Sequence, residues 1–220
     1  ISNEGMNLFE PNVETKKAAF AAGCFWGVDS LFGCAKGVIR TRCCYTGGIK
    51  SNPTYHDLGD HTEAVDIEYD PQQTTYDELL TLFWANHDST VYVKRQYMSA
   101  IYYYDEEQRR AAEASRELQQ QRYAKPIKTE IVAASNIYDA EDYHQKYFLQ
   151  NVTSLFESLQ IPKDAKSLIG SHVCARLNGY IGGYGNYEQF SKEAPTWGLS
   201  ADQLATATQL AKSPPFQKCH

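Results

Sequence analysis

Apolar and polar residues change period several times along this chain, and each change marks an element. The run TKKAAFAAG (15–23) is nearly continuous in apolar residues and stops at a glycine, the pattern of a short buried strand. The next segment, CFWGVDSLFGC (24–34), can wind as a helix despite Gly27. GVIRTRCCYTGG (37–48) carries β-branched residues up to a Gly-Gly stop and predicts a second strand. IKSNPTYHDLGD (49–60) is a turn-rich loop marked by Asn-Pro and Gly-Asp. In TEAVDIEYDP (62–71) the alternation is clean: Val65, Ile67 and Tyr69 face one way, Asp66, Glu68 and Asp70 the other. A helix is predicted over YDELLTLFWANHD (76–88), opened by Thr75 with Glu78 three residues on, the spacing of a capping box. YMSAIYYY (97–104) reads as a strand in which Tyr97 shares a face with Ser99 and Ile101. DEEQRRAAEASRELQQQRY (105–123) forms a helix with acids first and bases later, and IKTEIVAAS (127–135) closes the series as a strand.

The order β-α-β-β-α-β-α-β contains the split βαβ pattern of ferredoxin-like architectures, so the expected fold is α+β, a two-layer α/β sandwich. After about residue 136 the pattern turns helical in DAEDYHQKYFLQN, TSLFESLQ and SADQLATATQLAKS, the last with a Ser200/Gln203 cap signal. Between them NGYIGGYGNY (178–187) reads as a glycine-rich loop. The chain is expected to be a single domain over residues 1–220: a core at about 15–147 and a helical, loop-rich extension at about 148–220. The extension ends in a proline-broken, mobile tail, KSPPFQKCH.

Composition narrows the function. With 220 residues and 42% hydrophobic content the chain can bury a substantial core. A net charge of −6 argues against nucleic acid or an anionic membrane as the main partner. No apolar run approaches the ~20 residues of a membrane span. No secretory signal is visible in ISNEGMNLFE. Six cysteines stand at 24, 34, 43, 44, 174 and 219; two are adjacent and no C-x-x-C pair exists to grip zinc. Reduced thiols in a cytoplasmic, reducing compartment are expected, with no bound metal.

Cys24 follows a strand and starts a helix, where unpaired N–H groups and the positive dipole end lower a thiol's pKa from about 8.5. Gly23 lets the backbone turn sharply there. Position alone leaves two readings, a nucleophile or a packed core thiol. Phe25 and Trp26 likewise are either core aromatics or an apolar wall beside the sulfur, suited to a methyl-bearing, sulfur-containing substrate. Counting back by twos from Tyr69 puts Glu63 on the apolar face of its strand, where burial raises a carboxyl's pKa and makes it a general acid. The alternative is that the strand begins after Glu63 and the side chain caps the loop. His61 shares that parity and could assist the acid, orient a loop or make a structural hydrogen bond, while His144 suits packing or support behind the site.

The blocks GCFWG, TGG…SNPTY, GDHTEAVDIEYDP, FWANHD, QYMSAIY and AEDYHQKY, in this order over about residues 17–147, resemble the peptide methionine sulfoxide reductase A family. The resemblance implies a two-layer α/β sandwich and reduction of the S epimer of methionine sulfoxide, free or in proteins. It makes Cys24 the nucleophile, Phe25 and Trp26 the holders of the substrate methyl, and Glu63 the acid on the sulfoxide oxygen. Tyr55 and Tyr97 would assist at that oxygen. It further implies no bound cofactor, recycling by thioredoxin or another thiol, oxidised proteins or peptides as partners, and action as a monomer.

Two departures stand out. Many relatives carry a Gly-Asn-Asp…Gly-Thr segment before the second tyrosine, where this chain has the shorter HDSTVYVKRQYMS; the aspartate's role is not transferred to Asp88. Many also carry a resolving cysteine in GYCG, where this chain reads GYIGGYG with Ile181 in that place. Cys34 lies ten residues along the same helix, about 15 Å away at about 1.5 Å per residue, too far for a disulfide. Cys43 and Cys44 fall on opposite faces of a strand as structural thiols. Cys219, in the tail, is the leading candidate for the resolving thiol and Cys174 the second. A thiol peroxidase and a non-catalytic, aromatic-rich binding module are the competing readings; the aromatic pair speaks against the first and a reactive thiol against the second.

Overall fold

The computed structural model describes residues 7–216 and 218. Its centre is β1 (Lys16–Ala22), whose continuous apolar run is explained by cover on both faces: Ala18, Ala19, Phe20 and Ala21 have no exposed surface. Ala18 and Phe20 belong to the main core under the helices, Ala19 and Ala21 to a smaller cluster of Cys44, Ala64, Ala100 and Tyr102 on the opposite face. After β1 come α1 (Phe25–Gly33), β2 (Val38–Thr46), β3 (Thr62–Tyr69), α2 (Tyr76–Ala85), β4 (Ser99–Tyr103), α3 (Glu106–Gln120) and β5 (Glu130–Ala133). The sheet order is β5-β4-β1-β3-β2-β6, with β6 at Tyr138–Asp139. Its middle four strands, β4-β1-β3-β2, pair antiparallel throughout, the ferredoxin-like arrangement, and β5 adds to β4 in parallel.

The alternation in β3 holds. Val65, Ile67 and Tyr69 lie in the main core, while Asp66 is buried on the other face. Its carboxylate is satisfied there by Arg42 at 2.8 Å and the Tyr104 hydroxyl at 2.6 Å, which offsets the cost of removing the charge from water.

Beyond the sheet come α4 (Tyr147–Asn151), α5 (Thr153–Ser158), α6 (Ala165–Ile169), α7 (His172–Ile181), α8 (Tyr187–Glu193) and α9 (Ala201–Lys212). The expected cap of α9 is present as a full capping box between Ser200 and Gln203. Two expectations are corrected. DAEDYHQKYFLQN is not one helix: β6 and a single turn at Asp142–His144 precede α4, and Lys146 breaks the run at φ +52°. The tertiary pull is visible, because the fully buried Lys146 donates its backbone N–H to Asp29 (3.0 Å) and its ammonium to the Thr41 carbonyl (2.5 Å). Its ammonium also pairs with the Asp29 carboxylate at 3.8 Å.

The second correction concerns NGYIGGYGNY, of which Asn178–Ile181 is the last turn of α7 rather than loop. Its Gly179 is there for packing: a Cβ would stand 2.5 Å from the Cβ of Cys34, and one on Gly33 would stand 2.4 Å from the Ala175 carbonyl oxygen. Glycines therefore let α7 run antiparallel against α1 at backbone distance, and Ser30 donates across the joint to the Asn178 carbonyl at 2.9 Å.

Because Asp29 also accepts from the Thr41 hydroxyl, it joins α1, β2 and the entry to α4. Lys146→Met is expected to leave Asp29 buried without its counter-charge and to cost about 3–5 kcal/mol in urea unfolding.

Candidate active site

Strand β1 ends at Gly23, whose φ of +91° suits glycine, and Cys24 is the N-cap of α1. This turn puts the sulfur outside: Cys24 is exposed, whereas Cys34, Cys43, Cys44 and Cys174 are buried. The next residue turns inward, with Phe25 1% exposed. Its backbone N–H, the first of the helix, donates to Glu63 Oε1 at 3.2 Å.

Glu63 is the second residue of β3, is 1% exposed and points to the helical side, as the parity predicted. Burial raises its pKa; the Gln96 amide (2.7 Å to Oε2) and the Phe25 N–H oppose that shift without reversing it. Burial thus favours the protonated form of a carboxyl held at the first turn of the cysteine helix.

Tyr97 is corrected in its element but not in its neighbourhood. It ends a 3-10 turn, Arg95–Tyr97, before β4 and so is not on the strand face of Ser99 and Ile101. Its phenol is pushed up to about 12 by burial, with the Glu63 carboxylate, the Tyr55 phenol and Cys24 as further neighbours that raise it. The half-buried Tyr55 donates its backbone N–H to Glu141 Oε2 at 3.0 Å. Thus Cys24, Phe25, Glu63, Tyr55 and Tyr97, from four stretches of chain, meet at the N-terminus of α1.

Trp26 is held from behind. Its indole N–H donates to His144 Nδ1 at 2.9 Å, and its ring stacks on Tyr147 at 3.6 Å between centroids. Burial lowers the His144 pKa, which keeps the imidazole neutral and Nδ1 an acceptor. The His144 ring also contacts Phe25 and Tyr55, each at 5.0 Å. Gln145 accepts from the Cys43 N–H and donates to the Cys43 carbonyl, both at 2.8 Å, fastening this segment to β2. Burial works against Glu141, yet bonds from the Tyr55 N–H and the Tyr45 hydroxyl hold its carboxyl below the usual range.

Gln96, Glu141 and Tyr147 were not found from the sequence. For the last two a signal existed in AEDYHQKY, a block whose polar residues exceed what a surface helix needs. Gln96 had none beyond lying next to Tyr97. His61 is structural: its Nδ1 accepts from the Gly48 N–H at 3.2 Å and its Nε2 meets the Lys50 carbonyl at 2.7 Å, ordering the loop before Tyr55.

The other four described thiols are remote from water. Burial pushes Cys34 up to about 12 and Cys174 up to about 11 and raises Cys43 and Cys44 strongly. Cys43 and Cys44 do lie on opposite faces of β2. Cys174 sits in the first turn of α7, fully enclosed by the core. Cys219 lies outside the described residues. Its neighbour Lys218 places its ammonium 5.4 Å from the Tyr184 ring centre, and Tyr184 lines a cavity that Cys24 also lines. Ile181 is 1% exposed and fills core space. Among the described residues no group of three or more His, Cys, Asp or Glu could hold a metal.

An exposed N-cap thiol beside a buried carboxyl and an aromatic wall defines a cysteine-dependent oxidoreductase site on an α+β sandwich. A model of peptide methionine sulfoxide reductase matches residues 16–176, and one described as selenoprotein methionine sulfoxide reductase A, helical domain, matches residues 164–209. A peptide methionine sulfoxide reductase of Drosophila melanogaster is 48% identical over 199 residues, covering 89% of this chain and 80% of that protein. The structure of methionine sulfoxide reductase A of Corynebacterium diphtheriae superposes with a TM-score of 0.58 at 34% identity, covering 63% of this chain and 76% of that one. Mxr1 from Saccharomyces cerevisiae in reduced form, 24% identical, shares the fold with a TM-score of 0.59 over 67% of this chain and 91% of its own. The chain therefore belongs to the peptide methionine sulfoxide reductase family, and its activity is that of methionine sulfoxide reductase A, a peptide-methionine (S)-S-oxide reductase.

His144→Phe keeps a ring in place but removes the acceptor of the Trp26 indole. The expected outcome is a fall of about tenfold in kcat/KM for a sulfoxide peptide, carried mainly by KM, in steady-state assays.

Proposed function

We propose that the residues divide the reaction as follows. Phe25 and Trp26 hold the substrate methyl group, and protonated Glu63, with Tyr55 and Tyr97, donates hydrogen bonds to the sulfoxide oxygen. The Cys24 thiolate attacks the polarised sulfur. The sulfur–oxygen bond of the substrate breaks, oxygen passes to Cys24 as a sulfenic acid, and methionine leaves as the thioether. Two electrons have moved from the cysteine sulfur to the substrate. The observation that carries this reading is the Glu63–Phe25 N–H bond, which ties the buried carboxyl to the turn that presents the thiol.

For the second half-reaction, the Cys219 thiol attacks the sulfenic sulfur, water leaves, and the disulfide is reduced by thioredoxin or another small thiol. Two facts support Cys219 over Cys174. Lys218 lies over Tyr184 beside the Cys24 cavity, and Cys174 is enclosed with a raised thiol. The substrates are free methionine sulfoxide and the oxidised side chains of proteins and peptides, repaired in the cytoplasm by a monomer acting as a single domain over residues 1–220. The buried, unpaired thiols of adjacent Cys43 and Cys44 suit that reducing compartment.

Glu63→Gln is expected to slow single-turnover reduction by about 10²–10⁴-fold. In the parent protein the rate should fall as pH rises through the raised Glu63 pKa, since only the protonated acid works; that limb should vanish in the variant. An unchanged rate removes Glu63 from the acid role. Cys219→Ser should spare the first stoichiometric reduction but stall multiple turnover with thioredoxin; full turnover would reassign the resolving thiol.

A further inference from the structure

We propose that the cavity on the far side of the Cys24 sulfur is a subsite for an apolar residue flanking the methionine sulfoxide in a peptide; the proposal rests on the reductase reading above. The cavity measures about 310 Å³ and is walled by Val28 and Leu31 of α1, Val91 and Val93 of the loop before Tyr97, and His87. It reaches Cys24 and Tyr97, but Phe25, Trp26, Tyr55 and Glu63 do not line it. The cavity is therefore a second space beside the sulfur, which the aromatic pair and Glu63 do not line.

The polar groups around this second space are committed elsewhere. His87 Nδ1 meets the Phe83 carbonyl at 2.8 Å, and its Nε2 meets the Ser99 hydroxyl at 2.7 Å. Ser99 in turn bonds Thr129 at 2.7 Å. The Asn86 amide donates to the Leu82 carbonyl at 2.8 Å. What faces the cavity is mostly hydrocarbon and an imidazole ring, so an apolar side chain gains there by leaving water.

The mouth selects in the same direction. Val91, Tyr92 and Val93 are 47%, 89% and 39% exposed, a run of apolar surface in the loop before Tyr97. Asp88, at the rim, holds the Thr90 N–H and hydroxyl at 2.9 and 2.6 Å and places a carboxylate that repels acidic neighbours. Adjacent residues of an extended peptide are about 3.3–3.6 Å apart along the chain, so a residue next to the methionine reaches this space while the sulfoxide meets Cys24.

The test is single-turnover reduction, which needs no resolving thiol, of blocked peptides with Leu or Glu immediately before or after methionine sulfoxide. The side-chain-free reference is N-acetyl methionine sulfoxide amide. A preference for Leu of about tenfold or more is expected in at least one position. Val93→Lys should collapse or invert the Leu-to-Glu ratio, a readout that general damage to the fold leaves alone. If the reference compound and all peptides are inert, the reductase reading fails and takes the subsite with it. If the reference compound is reduced and the ratio is one in both positions, the subsite alone is overturned. A preference that appears only after removal of residues 214–220 assigns the space to the chain's own tail and likewise overturns the proposal.

Discussion

The whole site hangs on one hydrogen bond, from the first backbone N–H of α1 to the carboxyl of Glu63. A helix start offers unpaired donors and a positive end, and both stabilise a thiolate at the cap. The same donors would pull a carboxyl toward its charged form. Enclosure works the other way and wins, leaving Glu63 raised. One turn of chain therefore serves an exposed nucleophile and a sequestered proton donor at once. That pairing is possible only because Cys24 and Phe25 point to opposite sides of the surface.

Such a turn has to be immobile, and most of the remaining structure serves that end. Asp29, in the second turn of α1, is fixed by Thr41 and the buried Lys146. Gly33 and Gly179 bring α7 against the other side at a distance any Cβ would forbid. The residues around Lys146 act as a set: His144 and Tyr147 hold the indole, and Gln145 pairs with β2 as a further strand would. The C-terminal helices thus reach the reaction through the back of α1 rather than by direct contact with the reacting atoms.

The loop before Tyr97 carries exposed valines beside the sulfur, and at its end Gln96 adds a second donor on Glu63 to that of Phe25.

Local periodicity was enough to read the element order, the buried parity of Glu63 in β3 and the position of Cys24 at a strand-to-helix turn, because each follows from side-chain direction along a single element. It misread DAEDYHQKYFLQN, NGYIGGYGNY and Tyr97, where the outcome turns on partners far along the chain. Lys146 leaves helical geometry to reach Asp29, 117 positions away. Gly179 is helical where Cys34, at the C-terminal cap of α1, lies against it. Tyr97 enters from a turn that Thr62 of β3 helps hold, through its bond to the Arg95 carbonyl at 2.8 Å. The residue types needed for the chemistry, and the elements that carry them, were determined by the sequence alone. Their convergence on one sulfur was decided only by the tertiary structure, because the forces that close the site act between segments that no local pattern connects.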